Sequence, residues 1–193
     1  MLRKIHSTSA VILLVFIIAH LTNHLAALQG VETHTTMLRA LRTFYRNPIA
    51  ETVLLLAALL QVVTGLVLAY PGACGGRLQI WSGIAIAAFL LQHVPAVMVG
   101  RYLQQLDTNF YFAAAVLQGG LYKYYFFPYY FAGLTAVFVH LAAALRLRMH
   151  PGHPRSLIVA LLIAAGIVAA TLILLCFGGA FYEIRLPAGY RFS

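Results

Sequence analysis

The sequence predicts an all-α polytopic membrane protein with five transmembrane helices, four forming a core bundle of two tandem helix pairs and the fifth lying outside it. Three observations carry this reading. Of 193 residues, 62% are hydrophobic and only 9% charged, with a mean hydropathy of +0.88, whereas soluble domains are about a quarter charged. Five apolar stretches, at about 8–28, 48–70, 78–99, 127–147 and 157–179, are each long enough as helix to cross roughly 30 Å of hydrocarbon. The chain also contains an internal duplication. Ser9 to His20, SAVILLVFIIAH, matches Ser82 to His93, SGIAIAAFLLQH, without a gap, and Gln61 to Leu66 lines up with His140 to Leu145. One transmembrane domain therefore holds a first repeat at about 8–70, a second at about 78–147 and an extra helix at about 157–179.

Met1 to Ser7 reads as a short basic lead, with His6 an interfacial surface histidine. The first span is expected to stay in place, because it is long and has only Arg3 and Lys4 ahead of it and no small-residue cleavage site after it. Ser9, Phe16, His20, Asn23 and His24 share one face of that helix, opposite Val, Ile and Leu. Leu38, Leu41, Phe44 and Tyr45, interleaved with Arg39, Arg42 and Arg46, suit a short amphipathic helix along the interface. Asn47-Pro48 is a start signal for the second span, where Ala57, Ala58, Thr64 and Gly65 surround Gln61. Tyr70 to Gly76 is expected to turn tightly, making the second and third spans antiparallel neighbours. Pro95 should kink the third span or re-aim His93. Asp107, Thr108 and Asn109 mark a polar loop. The aromatic run Tyr122 to Phe131 reads as a headgroup-level belt, with a quinone entrance as the other reading. Gly133, Ala136, His140, Ala143 and Ala144 stripe the fourth span, which ends in Arg146 and Arg148. His150 and His153 sit in a Pro-Gly loop. The last span, with no ionisable residue, is expected to pack outside the core.

The net charge of +9 is spread over every connection, which suits anchoring to anionic lipid and excludes a nucleic-acid-binding patch. Six basic residues fall on the side of the N-terminus and seven on the other, so charge leaves the orientation open. Cys74 and Cys176 lie at opposite ends of their spans and are not expected to form a disulfide. All four carboxylates, Glu32, Glu51, Asp107 and Glu183, fall in connections or at span ends, which excludes a carboxylate relay through the membrane. No phosphate-binding loop, nucleophile elbow, HExxH motif, flavin site or iron–sulfur site is present in the chain.

What remains for chemistry is His20, His24, Gln61, His93 and His140. At about 1.5 Å of rise per residue, His20 and His93 reach similar depths on parallel helices, while Gln61 and His140 form a second layer nearer the N-terminal side. Two histidines at matched depth on separate helices are what a bis-imidazole haem b needs. Small residues a turn away leave space for the macrocycle, and Arg101 and Arg146 are candidates to pair its propionates. Interhelical hydrogen bonding is the plainer use of such histidines. His24 is an alternative to His20 as ligand, or a quinone partner. Glutamine is not a haem ligand, so His140 with Gln61 reads as a lost haem, a five-coordinate haem or a hydrogen-bonding pair for a quinone.

The Ser-to-His motifs ending at His20 and His93, with the run His140 to Arg146, make the chain similar to the single-chain, five-helix cytochrome b membrane anchors of succinate dehydrogenases and fumarate reductases. The resemblance implies that His20 and His93 hold one haem b on the side away from flavoprotein and iron–sulfur subunits, with His140 half of a second site. It also implies electron transfer to or from membrane quinone in the respiratory chain, in a bacterial inner membrane. The chain departs from the two-haem pattern at Gln61. HLTNHLAAL and RNPIAETVLLLAALLQ also resemble the membrane domain ahead of some bacterial adenylate cyclases. A stand-alone haem or quinone sensor or assembly module, and a haem-free structural protein, are the alternative readings.

Overall fold

A computed structural model of the chain describes residues 1–70 and 76–191, apart from the side chain of His153. The turn expected after Tyr70, and Cys74 within it, lie outside the described residues. Seven α-helices account for nearly all of the rest, and no strand occurs among the described residues. They are α1 (Leu2–Ala26), α2 (Val31–Tyr45), α3 (Pro48–Ala69), α4 (Arg77–Met98), α5 (Phe110–Gln118), α6 (Tyr122–Arg148) and α7 (His153–Phe177). α1, α3, α4, α6 and α7 are long and apolar enough to cross a membrane. The connections α3–α4 and α6–α7 share a face with the N-terminus; α2, α5 and the C-terminal segment lie at the opposite face.

The local signals explain most boundaries. Asn47 caps α3, its Oδ1 accepting from Ile49 N at 2.9 Å and Ala50 N at 3.4 Å, with Pro48 at the first helical position. α1 closes in a 3-10 turn, Ala27–Gln29, and Gly30 at φ 113° turns the chain into α2. α2 buries His34 and Leu38. Two expectations need amending. The basic lead is helical from Leu2, since nothing in it breaks a helix, so His6 belongs to α1. The connection expected after Asp107 contains α5, capped by Asn109 Oδ1 at Tyr111 N (2.9 Å) and Phe112 N (3.4 Å), and too short to show as a span. α4 runs through Pro95 as α-helix to Met98 and only then passes into a π-helical turn, Val99–Leu103. The aromatic run lies within α6, Pro128 included.

Packing follows the repeat. α1 packs on α3 and α4 on α6, and α3 on α4 joins the pairs, while among the described residues the backbone of α1 approaches neither α4 nor α6 closely. α1 and α4 thus face each other across the bundle. α7 lies against α6 from outside, exposing Leu157, Leu161, Ile167 and Val168, but its last turns enter the main apolar core. There Ile173, Leu174, Cys176 and Phe177 pack with Ala27, Phe110, Ala114 and Leu117. Tyr182 closes over this core, its hydroxyl donating to Ala27 O at 2.8 Å with Cys176 Sγ 3.4 Å away. Cys176 is a buried free thiol. Val11, Val15 and Ile18 on α1 and Leu56, Leu59 and Val63 on α3 are exposed, as lipid-facing positions should be.

Close approach of α6 and α7 depends on Gly166, where an added Cβ would lie 2.5 Å from Phe138 Cβ. Because that atom is rooted on the backbone, Gly166→Val should push the helices apart and cost about 1–3 kcal/mol. A thermal melt in detergent should show the lowered midpoint, while Gly76→Ala, with open space around its position, should leave it unchanged.

Candidate functional site

In hydrocarbon an unpaired polar side chain is costly, so the bonds made by the polar residues of the spans reveal what the bundle interior is built around. They fall into two layers. In the layer nearer the N-terminal face, Ser9 Oγ donates to Ile5 O at 2.9 Å, and Gln61 Nε2 on α3 donates to Ser9 Oγ at 2.8 Å and to His6 O at 2.5 Å. The second repeat reproduces this. Ser82 Oγ donates to Leu78 O at 2.7 Å, and His140 Nδ1 on α6 lies 3.1 Å from both Ser82 Oγ and Gln79 O. Residues matched by the duplication make matched interhelical bonds, so the repeat fixes the axial register of each pair.

The deeper layer is duplicated as well. Phe16 stacks on His20 with ring centroids 5.4 Å apart, and Phe89 stacks on His93 at 4.9 Å. The two imidazoles lie edge to face between α1 and α4, 6.4 Å between centroids and 66° between planes. Two metal–nitrogen bonds of about 2 Å each, plus the half-widths of two rings, add up to about 6 Å. His20 and His93 are thus the residues that would hold a haem iron at this separation. His24 Nε2 lies 3.1 Å from His20 Nε2, so ligation through His20 Nε2 requires this bond to open. Tyr130 stands edge-on to His93 at 6.2 Å, and Tyr129 donates to Phe89 O at 2.9 Å. The expected aromatic belt is thus divided: Tyr124 and Tyr125 are exposed, while Tyr129 and Tyr130 pack on the histidine layer.

Sequence reading did not single out His34, which caps this layer. It is 1% exposed. Asn23 Nδ2 donates to its Nε2 at 3.0 Å, and its ring stacks on His24 at 5.7 Å. His24 Nδ1, His34 Nδ1 and Asn23 Oδ1 are buried without a hydrogen-bond partner. The only advance signal was the position of His34 on the apolar side of an amphipathic helix, four residues before Leu38.

Three arginines of the far face are engaged by other side chains. Arg101 forms an ion pair with Glu51, both side chains 17% exposed, which holds its guanidinium beside the start of α3. Arg42 pairs with Asp107 at 2.8 Å, and Arg46 donates to Thr108 Oγ1 at 2.6 Å. Arg146 lines a separate groove where α6 turns into α7, with Pro151, Gly152 and Arg155, away from the histidines. A cavity of about 340 Å³ opens among α1, α3, α4 and α6 in the N-terminal layer. It is lined by His6, Gln61, Gln79 and His140, with Arg3 and Arg148. Small residues serve the rings: an added Cβ at Gly65 would lie 3.5 Å from His6 Cε1, and at Gly83 3.2 Å from His140 Cε1. At Gly133 the space is taken by Phe89.

Among the described residues no group of three or more His, Cys, Asp and Glu side chains is placed to hold a bare metal ion. No family model matches the chain, and comparison with curated proteins and with solved structures returns no match.

His34 gives this region a pH dependence. Burial, and then the Arg42 guanidinium, hold its pKa down at about 4 instead of 6.5. The folded state thus binds fewer protons than the unfolded one between these values, so stability is complete above pH 6.5, falls as pH drops toward 4 and levels off below. The loss should be on the order of 3 kcal/mol. Melting midpoints taken from pH 7.5 to 4 should fall in the wild type and fall distinctly less in His34→Gln, which keeps an acceptor for Asn23.

Proposed function

We propose that the chain is a haem b-binding membrane anchor that passes electrons between a soluble succinate or fumarate-type dehydrogenase and quinone in a bacterial inner membrane. The observation that carries this is the repeated Phe–His stack, which sets His20 and His93 from opposite helices 6.4 Å apart inside the bundle. Bound haem supplies one-electron chemistry, with a potential set by axial ligands, hydrogen bonding and burial. The chain's own part is ligation, orientation and exclusion of water. Phe16 and Phe89 hold the planes of the two imidazoles, Tyr130 stands against His93, and the core around Phe110 and Phe177 packs against His34 and seals the end of the layer.

An anchor, more than a stand-alone sensor, accounts for the distribution of charge. The opposite face carries all four carboxylates, three of them paired with arginines of the same face: Glu51 with Arg101, Asp107 with Arg42, and Glu183 with Arg185. The N-terminal face carries Arg3, Lys4, Arg77, Arg146, Arg148 and Arg155 and no carboxylate side chain. Such a face suits an acidic soluble partner, the flavoprotein and iron–sulfur pair of this reading. Quinone would enter laterally from the bilayer, past the tyrosines of α6.

Dithionite-reduced minus oxidised spectra of protein from haem-replete cells should show low-spin b-type bands. His93→Ala should lose one haem equivalent by pyridine haemochrome assay while keeping its melting behaviour within a few degrees. Protein that contains no haem under these conditions would overturn the proposal, and flavin-bearing subunits that co-purify would support its electron-transfer half.

A further inference from the structure

His6 lies outside the matched segments, yet it stands in the N-terminal layer where the second repeat places Gln79. The offset that carries Ser9 onto Ser82 carries His6 onto Gln79, and the backbone carbonyls of both accept the bond from the third-helix or sixth-helix residue, Gln61 or His140. Both side chains line the central cavity. Gln61 uses its amide to hold α1, so its nitrogen is already engaged with His6 O and Ser9 Oγ.

The hydrogen bonds fix the tautomers of the two imidazoles. Thr64 donates its hydroxyl proton to Leu60 O at 2.5 Å, so at 2.8 Å from His6 Nδ1 it can only accept. His6 therefore carries its proton on Nδ1. At His140, Nδ1 faces Gln79 O, which only accepts, and Ser82 Oγ, whose proton goes to Leu78 O. His140 is protonated on Nδ1 as well. Neither Nε2 has a protein partner among the described residues, and each presents a lone pair on a side chain that lines the cavity. A ring nitrogen tied to the protein through its N–H, with the other left basic, is the arrangement that orients a histidine ligand. Arg3 lies one turn from His6, Arg148 lies two turns from His140, and both line the same cavity toward the N-terminal face.

We propose that His6 and His140 ligate a second haem b in this cavity, His6 supplying the ligand that Gln61 does not, with Arg3 and Arg148 pairing the propionates. This rests on the haem reading above and adds a residue that the duplication itself does not contain. The apolar lining, including Val62, Ile80, Ile86 and Leu90, suits the macrocycle, and the cavity volume lies within the range of about 300–1,000 Å³ usual for ligand sites.

The test is haem stoichiometry and low-temperature EPR on the full chain, for wild type, His6→Ala, His140→Ala and His93→Ala, with melting midpoints as the folding control. Two haems per chain are expected in the wild type, falling to one in each variant. The low-spin signal lost in His6→Ala should be the one lost in His140→Ala, and different from that lost in His93→Ala. Added imidazole should restore it in His6→Gly. Two haems retained in His6→Ala would overturn the proposal. So would a single wild-type haem that depends on His93 and not on His6, while leaving the His20/His93 site standing. A single haem that depends on His6 and His140 alone would support this site and remove the other. Absence of any haem would overturn both.

Discussion

Hydrocarbon offers a buried polar side chain nothing to bond with, and that constraint orders the rest of this structure. Ser9, Gln61, Thr64, Ser82 and His140 are each bonded to another helix or to their own backbone, and such matches set the depth at which one helix lies against the next. Leu, Ile and Val can slide past one another with little change in contact; Gln61 cannot leave both His6 O and Ser9 Oγ without abandoning two bonds in a medium that replaces neither. The paired seryl contacts act as registration marks. Once they are made, Phe16, His20, Phe89 and His93 arrive together in the deeper layer.

The two ends of the bundle are finished by different means. At the far end, α2 and α5 fold over the histidines and are fastened by charge, with Asp107 between Arg42 and Arg46 and Glu51 against Arg101. Tyr182 and Tyr190 add hydrogen bonds from the C-terminal segment to Ala27 O and Asp107 O. Among the described residues the cavity at the N-terminal end has no such cover. It is bounded by the four helices themselves and by the side chains of Arg3 and Arg148.

The class of fold, the five spans, the amphipathic α2 and the cap at Asn47 were legible because each rests on a local property: hydropathy over about 20 residues, helical periodicity, or one capping side chain. The pairing of His20 with His93 was legible because the duplication stated it. Contacts between remote segments were not. His34 carries no periodic mark that separates it from any polar residue of an interfacial helix. His6 was assigned to the surface because charged neighbours precede it, although the helix simply begins earlier. Arg101 was a fair candidate for an anionic ligand by position, but its nearest anion proved to be Glu51, fifty residues back in the chain. α5 was too short to register against its apolar surroundings.

Because each repeat contains two crossings, the second copy enters the membrane in the same direction as the first, and the halves are related by an axis along the membrane normal. A symmetric dimer of one such hairpin could build the same bundle, but every residue would then face its own duplicate. Joining the copies in one chain releases them from that identity. His140 can stand across from a glutamine in one layer while two histidines remain alike in the other, so each layer is open to separate adjustment by single substitutions. Covalent fusion thus lets the two sides of a single layer differ in chemistry, which a two-fold axis along the membrane normal would forbid.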